Sequence, residues 1–311
     1  MASSEFLNKV DFSLSFCCEM IENGGEDSFF SCVKSDKAVV SVFDGCGGLD
    51  GKVYQNFSFK TGAYMASRML SGAMKAWFDS IGDENPDAAH YKNLADRIYG
   101  IVSQYADKRN VVIKGSMHKD FASTLCGAVV KPKGEKMHTD FIWAGDSRGY
   151  ILSPDGLVQM TSDDIRGEDA MSNLRNDGVL TNVASAKGNY LINKRSATVT
   201  YPAIIICATD GCFGYLSTPM EFEDLLLDTL SKSKCADEWS KNIQAQLKNI
   251  SGDDYTMSLI SLGFSSFNSL KKQMAPRKEF IKKHYIERLS NLEYEQKVAL
   301  WEKYKEDYYV V

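Results

Sequence analysis

The sequence predicts an α+β fold, a four-layer α-β-β-α sandwich of two antiparallel sheets flanked by helices. Two observations predict this class. Apolar runs of strand length dominate the chain, and helical periodicity occurs in pairs of segments that follow groups of strands. A parallel βαβ fold would instead alternate single strands with helices. The chain of 311 residues, 44% of them hydrophobic, is long enough to bury such a core.

The elements can be assigned in chain order from periodicity and turn residues. Early strands are predicted at residues 11–20 and 38–43, and two helices at 57–80 and 88–108, separated by the breaker GDENP. The central strands are predicted at 123–130, 138–144, 149–153, 157–160, 189–192, 197–201 and 203–207. Helices at 219–230 and 237–250 and a strand at 255–263 follow. Residues 161–187 are polar and weakly periodic, which predicts a long surface excursion with one short helix, and such excursions are often functional.

The composition changes after Gly263. Residues 264–280 have the composition of a linker, and the chain from Pro276 onward is highly charged with helical periodicity. We therefore predict one large domain at 1–265 and a linker with a charged helical C-terminal extension at 266–311. The apolar stripes of this extension either pack on their own domain or bind a partner or a second subunit.

Charge and cysteine usage exclude several classes of protein. The net charge of −5 and the pI near 5.5 argue against nucleic-acid binding as the main function. There is no run of 18 apolar residues and no basic segment leading into an apolar one at the start, so neither a membrane span nor a signal peptide is expected. The eight cysteines form no C-x-x-C pair and lie far from the four histidines, which disfavours zinc. Free thiols in a cytoplasmic protein are the prediction.

Acidic residues recur where apolar strands begin or end, next to glycine or to another acid. The sequence VVSVFDGCGG illustrates the pattern. Its three glycines around a cysteine leave room for a metal ion or a phosphate to approach the backbone, or form only a tight turn. Each acid alone is typical of a turn. Together they predict a site for Mg²⁺ or Mn²⁺, hard cations that prefer oxygen ligands. The residues concerned are Glu26, Asp27, Asp44, Asp146, Asp210, Asp253 and Asp254.

The ordered series ED at 26–27, FDGCGG, GDSR, TDG and DDYT resembles the metal-dependent serine/threonine protein phosphatases, the PPM or type 2C family. The resemblance covers residues 11–264 and extends to spacing, since GDSRGYILSPDGLVQMTSDD follows the family's order of GDSR, strand, turn, strand and Thr-x-Asp. It implies the α-β-β-α sandwich and a bacterial-like member of the family.

The resemblance also implies roles for the acids. Asp44 would bridge two metal ions, and Gly45 would give its backbone carbonyl to one of them. Glu26 would hold the second metal, and Asp210 and Asp253 the first. These four carboxylates form the implied catalytic set, which activates a metal-bridging water for in-line attack on phosphorus.

Two further positions complete the implied centre. Asp146, together with Asp210, would form a weaker third metal site. Asp27 would orient metal-bound waters without contacting a metal ion itself. No covalent phosphoenzyme is implied, so no nucleophilic cysteine or histidine is needed.

Three positions depart from the family pattern. Cys46 stands where many eukaryotic members have a histidine and bacterial members often an apolar residue, and it is interpreted as space-filling or as sensitive to oxidation. Asp254, which like Asp27 would lie beside the metal ligands without contacting a metal ion, replaces the usual asparagine. Glu22 stands where the family has the arginine that binds substrate phosphate, so the substrate-binding residue is unknown and Arg68 or Arg166 is a candidate.

The predicted function is metal-dependent hydrolysis of phosphoserine and phosphothreonine in proteins, with phosphoproteins that are targets of a serine/threonine kinase as substrates. The alternative is a catalytically weak or inactive pseudophosphatase that acts as a binding or regulatory module, and Glu22 is what supports it. An unrelated aspartate-rich metal enzyme is a third hypothesis. Residues 161–187 and the C-terminal extension are the least family-like parts, so substrate or partner choice is expected there.

Overall fold

The structure is a computed structural model. It describes residues 6–49, 52–55, 58–82, 85–105, 121–167, 169–174, 178–289 and 292–309. Several predicted segments extend past these ranges: residues 57 and 106–108 at the helix ends, and residues 168 and 175–177 of the excursion, lie outside the described residues.

Two five-stranded sheets form the centre of the molecule. The first has the strand order β1-β12-β11-β8-β9, with bounds β1 Val10–Cys18, β8 Arg148–Ser153, β9 Gly156–Gln159, β11 Ala203–Ala208 and β12 Tyr255–Leu262. The second has the order β10-β7-β6-β3-β2, with bounds β2 Ser28–Val33, β3 Ala38–Phe43, β6 Leu125–Lys133, β7 Lys136–Ala144 and β10 Asn193–Thr200. All their pairings are antiparallel. A short hairpin joins β4 Val53–Tyr54 to β5 Lys60–Thr61.

Helices cover the outer face of each sheet. On the second sheet these are α1 Gly62–Ser80 and α2 Ala88–Val102. The first sheet is covered by α4 Pro219–Lys232, α5 Ala236–Ile250, α6 Phe267–Ile281 and α8 Tyr294–Tyr308. The short helices are α3 Ala170–Asn173, which lies in the excursion, and α7 Glu287–Leu289, which follows a π-helical turn at Lys282–Ile286.

The core lies in three layers that follow from this arrangement. Between the sheets, β-branched side chains such as Val40 and Ile205 are fully buried. Outside the second sheet, Trp77 of α1 packs in a cluster with strand residues, and outside the first sheet Trp239 of α5 does the same. The predicted four-layer α-β-β-α class is therefore confirmed.

The antiparallel pairing brings many strand ends to one edge of each sheet. In the first sheet the end of β11 lies beside the beginnings of β8 and β12, with Ala208 opposite Arg148 and Met257. In the second sheet the end of β3 lies beside the beginnings of β2 and β6, with Phe43 opposite Ser28. Acidic residues at these ends are thus brought together although they are far apart in sequence.

Local sequence explains where several helices start. The Thr61 hydroxyl accepts a hydrogen bond from the backbone amide of Tyr64 at 3.0 Å, so α1 begins at residue 62 and not at the predicted 57. A capping box at Asp87 starts α2 at the predicted residue 88. Pro219 occupies the first turn of α4, the position where its missing amide costs least.

Two strand assignments were wrong. Residues 189–192 form no strand, because Tyr190 packs on α2 with its hydroxyl on the Ala95 carbonyl and Leu191 bonds to the Asn182 side chain. The strand at Ser28–Val33 went unpredicted, because its alternation is interrupted by two successive phenylalanines and a half-buried cysteine.

The interpretation of residues 264–280 as a linker was also wrong, since Phe267–Ile281 is a helix. Leu270, Met274 and Ile281 are buried in the core cluster outside the first sheet, and this burial outweighs the cost of Pro276 inside the helix. The domain boundary at residue 265 stays a prediction.

The C-terminal helix α8 packs on its own domain. Trp301, Tyr304 and Tyr308 are each at most 2% exposed and join the same cluster. A buried ion pair also attaches α6 to the domain, because Arg277 donates to both carboxylate oxygens of Glu223 on α4, at 2.7 and 3.0 Å. Of the two alternatives for the extension, packing on the domain is the one observed for its apolar face.

No helix within the described ranges has the length and apolar character needed to cross a bilayer.

Candidate metal centre

Asp44 is held at the end of the central strand β3 by contacts to the neighbouring chain segment. Its backbone amide donates to the Thr124 hydroxyl at 3.1 Å, and its carbonyl accepts from the Thr124 amide at 2.8 Å. Thr124 in turn shares a hydrogen bond of 2.7 Å with Ser147 of the GDSR motif. These contacts fix the carboxylate of Asp44 relative to the turn that carries Asp146.

Gly45 follows β3 and packs against the first turn of α1 and the backbone of Glu26. A Cβ atom at this position would stand 2.5 Å from the Ala63 carbonyl oxygen and 2.8 Å from that of Glu26. Only glycine fits such an approach. Packing therefore requires a glycine after Asp44. The same lack of a side chain would leave the backbone carbonyl of this residue open to serve as a ligand.

Asp146 and Asp210 follow β7 and β11. Gly145 adopts φ +112° and donates its amide to the Asp164 carboxylate at 3.0 Å, which shapes the turn before Asp146. Asp210 opens a 3₁₀ turn, and Gly211 lies so close to the Asp254 carbonyl that a Cβ would meet it at 1.9 Å. The two turns are thus packed tightly against their neighbours.

Asp254 joins the segment before β12 to the loop after β1. Its carboxylate accepts from the backbone amides of Met20 at 2.8 Å and of Glu26 at 2.7 Å. The amide of Asp254 donates to Asp253 at 2.8 Å. Asp254 therefore positions the backbone of Glu26, a role that the family resemblance did not suggest.

Glu26 and Asp27 are fixed by hydroxyl groups. The Thr61 hydroxyl donates to the Glu26 carboxylate, and the Thr209 hydroxyl donates to the Asp27 carboxylate at 2.8 Å. A Cβ at Gly47 would meet the other Glu26 oxygen at 2.2 Å, so the glycine gives this side chain its space. Asp27 is 2% exposed, and burial together with nearby acids raises its pKa to about 8.

The acids meet in one cavity of about 580 Å³ at the shared edge of the two sheets. Its acidic lining consists of Glu26, Asp44, Asp146, Asp210, Asp253 and Asp254. No lysine, arginine or histidine is among the described residues that line it. The structure thus brings together every carboxylate of the predicted metal set.

The pKa values of the acids reflect the lack of basic residues in the described lining of the cavity. Burial, and then the charges of neighbouring acids, raise the pKa of Asp44 well above its ordinary value. The same causes, in the same order, raise the pKa of Asp146 to about 8 and that of Asp210 to about 6. Buried carboxylates that repel one another are stabilised by a bound cation.

The donor set fits hard divalent cations, because it consists of carboxylate oxygens and a close-packed backbone segment. Within the described ranges no three acidic, histidine or cysteine side chains already surround one point as a closed ligand shell. Binding an ion would therefore require these carboxylates to move closer together.

A second cavity of about 450 Å³ adjoins the first and shares Asp146 and Asp210 with it. Its far wall comes from residues 161–187, which we name the flap; Ile165, Asn173 and Leu174 belong to this wall. The flap is thus part of the surroundings of the metal centre, as the polar and weakly periodic sequence suggested.

Arg148 of the GDSR motif has a structural role. It donates to both oxygens of Asp163 at 2.9 and 2.7 Å, both side chains are 2% exposed, and its guanidinium lies 4.2 Å from the Phe213 ring centroid. This arginine is consequently engaged inside the protein. Asp163 and Asp164 were not predicted as site residues, although the TSDD segment after β9 belongs to the motif that carried the resemblance.

The three positions considered for phosphate binding, Glu22, Arg68 and Arg166, are not among the described residues that line the cavity. Glu22 is exposed in the turn after β1, and the cavity is lined by other residues. Arg68 lies 3.4 Å above the Tyr64 ring centroid and donates to the Gly25 carbonyl at 3.1 Å, so it supports the same loop from α1. Arg166 is exposed on the flap.

Cys46 is half-buried next to the cavity, and burial followed by the charge of Asp44 raises the pKa of its thiol well above the ordinary value. A thiol in that state is a poor nucleophile. This favours the space-filling interpretation of Cys46 and agrees with chemistry that does not use a covalent intermediate.

An α-β-β-α sandwich with a buried carboxylate cluster at one edge of its sheets is compatible with a metal-dependent hydrolase. A family model described as Protein phosphatase 2C matches residues 23–250, and the chain belongs to this family. The chain is therefore a metal-dependent protein serine/threonine phosphatase by class. No curated protein matches the chain significantly.

Solved structures share the fold at low sequence identity. The serine/threonine phosphatase Stp1 from Staphylococcus aureus is 19% identical with a TM-score of 0.59, and the match covers 80% of this chain and 94% of that one. The Mycobacterium tuberculosis serine/threonine phosphatase PstP/Ppp is 13% identical with a TM-score of 0.57, over 81% and 98% of the two chains. The catalytic domain of PstP in complex with two manganese ions is 15% identical, with a TM-score of 0.50 and coverage of 81% and 97%.

Proposed function

We propose that the chain hydrolyses phosphoserine and phosphothreonine monoesters of proteins at the carboxylate cavity, loaded with two Mg²⁺ or Mn²⁺ ions. The observation that carries the proposal is the cavity itself, in which acids from separate chain segments converge without a basic residue among the described lining. The manganese ions bound by the PstP catalytic domain support the choice of cation.

The ligands follow from the resemblance and from this arrangement. Asp44 would contact both ions, with the Gly45 carbonyl and Glu26 as further ligands. Asp210 and Asp253 would complete the set. When bound, the ions supply the Lewis acidity that activates water and neutralises phosphoryl charge.

The protein's own residues keep the carboxylates in place and ionisable. Thr124 fixes the backbone of Asp44, and Asp254 fixes that of Glu26. Thr209 fixes Asp27, which would accept a hydrogen bond from water in the cavity. Because these fixing contacts come from hydroxyl and amide groups, they orient the acids while leaving their charge available to a cation.

A weaker third ion at Asp146 and Asp210 is part of the proposal. Both residues also line the second cavity, so an ion there would lie between the metal pair and the flap. Asp146→Ala is expected to keep two bound ions while lowering turnover and raising the metal concentration required. Calorimetric counting that finds no ions bound to Asp146→Ala would contradict this assignment.

The substrates we propose are phosphoproteins made by a serine/threonine kinase. The alternative of an inactive binding module is not favoured, because all the carboxylates of the predicted set line the cavity and Glu22 lies away from it. A partner or second subunit bound by α8 would have to use the charged outer face of that helix, since Trp301, Tyr304 and Tyr308 are buried. The cytoplasmic compartment also stays a prediction.

The test is turnover of an aryl phosphate and of a phosphothreonine peptide over a manganese titration. We expect no turnover in chelator and saturable turnover with Mn²⁺. A folded protein that binds manganese but turns over neither substrate would refute the proposal.

A further inference from the structure

The end of the C-terminal helix contacts the flap at one point. The indole nitrogen of Trp301 donates to the Asp169 carboxylate at 2.8 Å, and the ammonium group of Lys305 donates to the same oxygen at 3.0 Å. The backbone amide of Ala170 donates to the Tyr309 hydroxyl at 2.7 Å. Three side chains from one segment thus converge on two consecutive flap residues.

Asp169 also starts the flap helix α3. Its other carboxylate oxygen accepts from the backbone amides of Met171 at 3.1 Å and Ser172 at 3.0 Å. One carboxylate therefore caps α3 with one oxygen and binds the C-terminal helix with the other. The position of α3 depends on both sets of contacts.

The far end of α3 reaches the metal centre. Asn173 donates to the Asp163 carboxylate at 2.7 Å, which is the partner of Arg148. Arg148 donates as well to the Ala170 carbonyl at 3.3 Å, and it lies two residues after Asp146. A continuous set of hydrogen bonds thus runs from α8 through α3 to the GDSR turn.

The second cavity lies along this path. Asn173 and Leu174 form part of its flap side, and Asp146 and Asp210 part of its metal side. A small aryl phosphate can use the metal centre alone, whereas a phosphorylated protein segment extends beyond the phosphate into adjoining surface.

We propose that α8 positions the flap wall of the second cavity through Asp169 and Ala170, and thereby sets the affinity for protein substrates. Lys305 and Tyr309 are positioning residues in this inference, not catalytic ones. The inference rests on the proposed function for its substrate, but the contact between helix and flap can be tested without turnover.

The variant is the double substitution Lys305→Met and Tyr309→Phe, which removes two of the three contacts and keeps the bulk of both side chains. The matched control is Lys303→Met, the same substitution on the exposed side of the same helix. Hydrogen exchange is followed at the amides of Ala170, Met171 and Ser172. Steady-state kinetics with Mn²⁺ are measured for an aryl phosphate and for a phosphothreonine peptide.

In the double variant we expect exchange at these amides to accelerate by about tenfold or more, since each 1.4 kcal/mol of lost protection is a factor of ten. The KM for the peptide is expected to rise about fivefold while kcat, and both constants for the aryl phosphate, change less than about twofold. Lys303→Met is expected to match the wild type throughout.

Unchanged exchange in the double variant would overturn the inference, because the helix would then not hold the flap. An equal fall of kcat for both substrates would also overturn it, because the effect would then lie in the metal centre. If the wild type turned over neither substrate, the proposed function would fail, and the exchange data would still decide whether α8 positions α3.

Discussion

Removal of the Asp254 carboxylate tests how the loop that carries Glu26 is held. The carboxylate accepts two backbone amides, from Met20 at 2.8 Å and from Glu26 at 2.7 Å, across more than 200 residues of sequence. Hydrogen bonds to charged groups contribute roughly 1.5–3 kcal/mol each, and the half-buried position favours the lower end. Asp254→Ala is therefore expected to lower the free energy of unfolding by about 3 kcal/mol.

Asp254→Asn separates this contribution from charge repulsion. Asparagine keeps one acceptor oxygen but turns an NH₂ group toward the second amide, so we expect a loss of about 2 kcal/mol. The removed negative charge acts in the opposite direction, because Asp254 raises the pKa of neighbouring Asp27, after the larger effect of burial. The sign of the change in the free energy of unfolding shows whether the lost hydrogen bond or the removed charge repulsion is larger.

Thermal and denaturant unfolding of the metal-free protein measure these changes. For a chain of this size, 3 kcal/mol corresponds to a fall in Tm of about 6 °C. The matched control is Glu19→Ala, which removes one amide contact, from Asn23 at 2.7 Å, within the same loop but does not cross to β12. An Asp254→Asn protein more stable than the wild type would refute the reasoning, since repulsion would then outweigh the hydrogen bonds.

Three further predictions follow from the same structure. Asp44→Asn is expected to lower turnover by about 10³-fold or more, because it removes a principal ligand, while its metal-free form unfolds no earlier than the wild type in a thermal scan; a variant with a tenth of normal activity would exclude Asp44 as a ligand. Glu22→Arg is expected to change the KM for an aryl phosphate by less than about twofold, because Glu22 is exposed outside the cavity; a tenfold lower KM would place it beside the phosphate. Arg277→Met is expected to cost about 3–5 kcal/mol, because the buried Glu223 would lose its counter-charge and keep only the hydrogen bond from the Tyr304 hydroxyl. Adding Glu223→Gln should restore much of this loss, and a double-mutant cycle without coupling would contradict the prediction.

The carboxylate set was predictable because its members carry local marks. Asp44, Asp146 and Asp210 each stand at the end of an apolar strand beside a glycine, and antiparallel pairing brings such ends to one edge. The glycines mark close backbone approach, as the space around Gly45 and Gly211 shows. Whether these acids bind metal in the roles assigned stays a prediction.

The contacts that position the set were not predictable from the sequence. Nothing near Asp254 indicates that its carboxylate would reach the amide of Glu26, 228 residues away in the chain. The hydroxyls of Thr124 and Thr209 are equally ordinary in sequence. Such contacts depend on which loops the finished fold places side by side.

The linker prediction for the start of the C-terminal extension was wrong because composition was given more weight than periodicity. Lysines, serines and Pro276 suggested a linker, but Leu270, Met274 and Ile281 keep a spacing that places them on one face of a helix. That face is buried against α4, so the segment is ordered by tertiary packing in spite of its proline.

The chemistry of the fixing contacts explains how a buried acidic cluster can remain ready for cations. Glu26 accepts from the Thr61 hydroxyl, Asp27 from the Thr209 hydroxyl and Asp253 from a backbone amide. These donors are neutral, so they orient the carboxylates without compensating their charge. Lysine or arginine at the same places would form ion pairs that a metal ion would have to break. Arg148, the buried arginine near Asp146, is paired with Asp163, and its charge lowers the pKa of Asp146 and Asp210 less than burial and the neighbouring acids raise it. Among the described residues that line the carboxylate cavity there is no lysine, arginine or histidine, so a divalent cation is the group that can supply positive charge there.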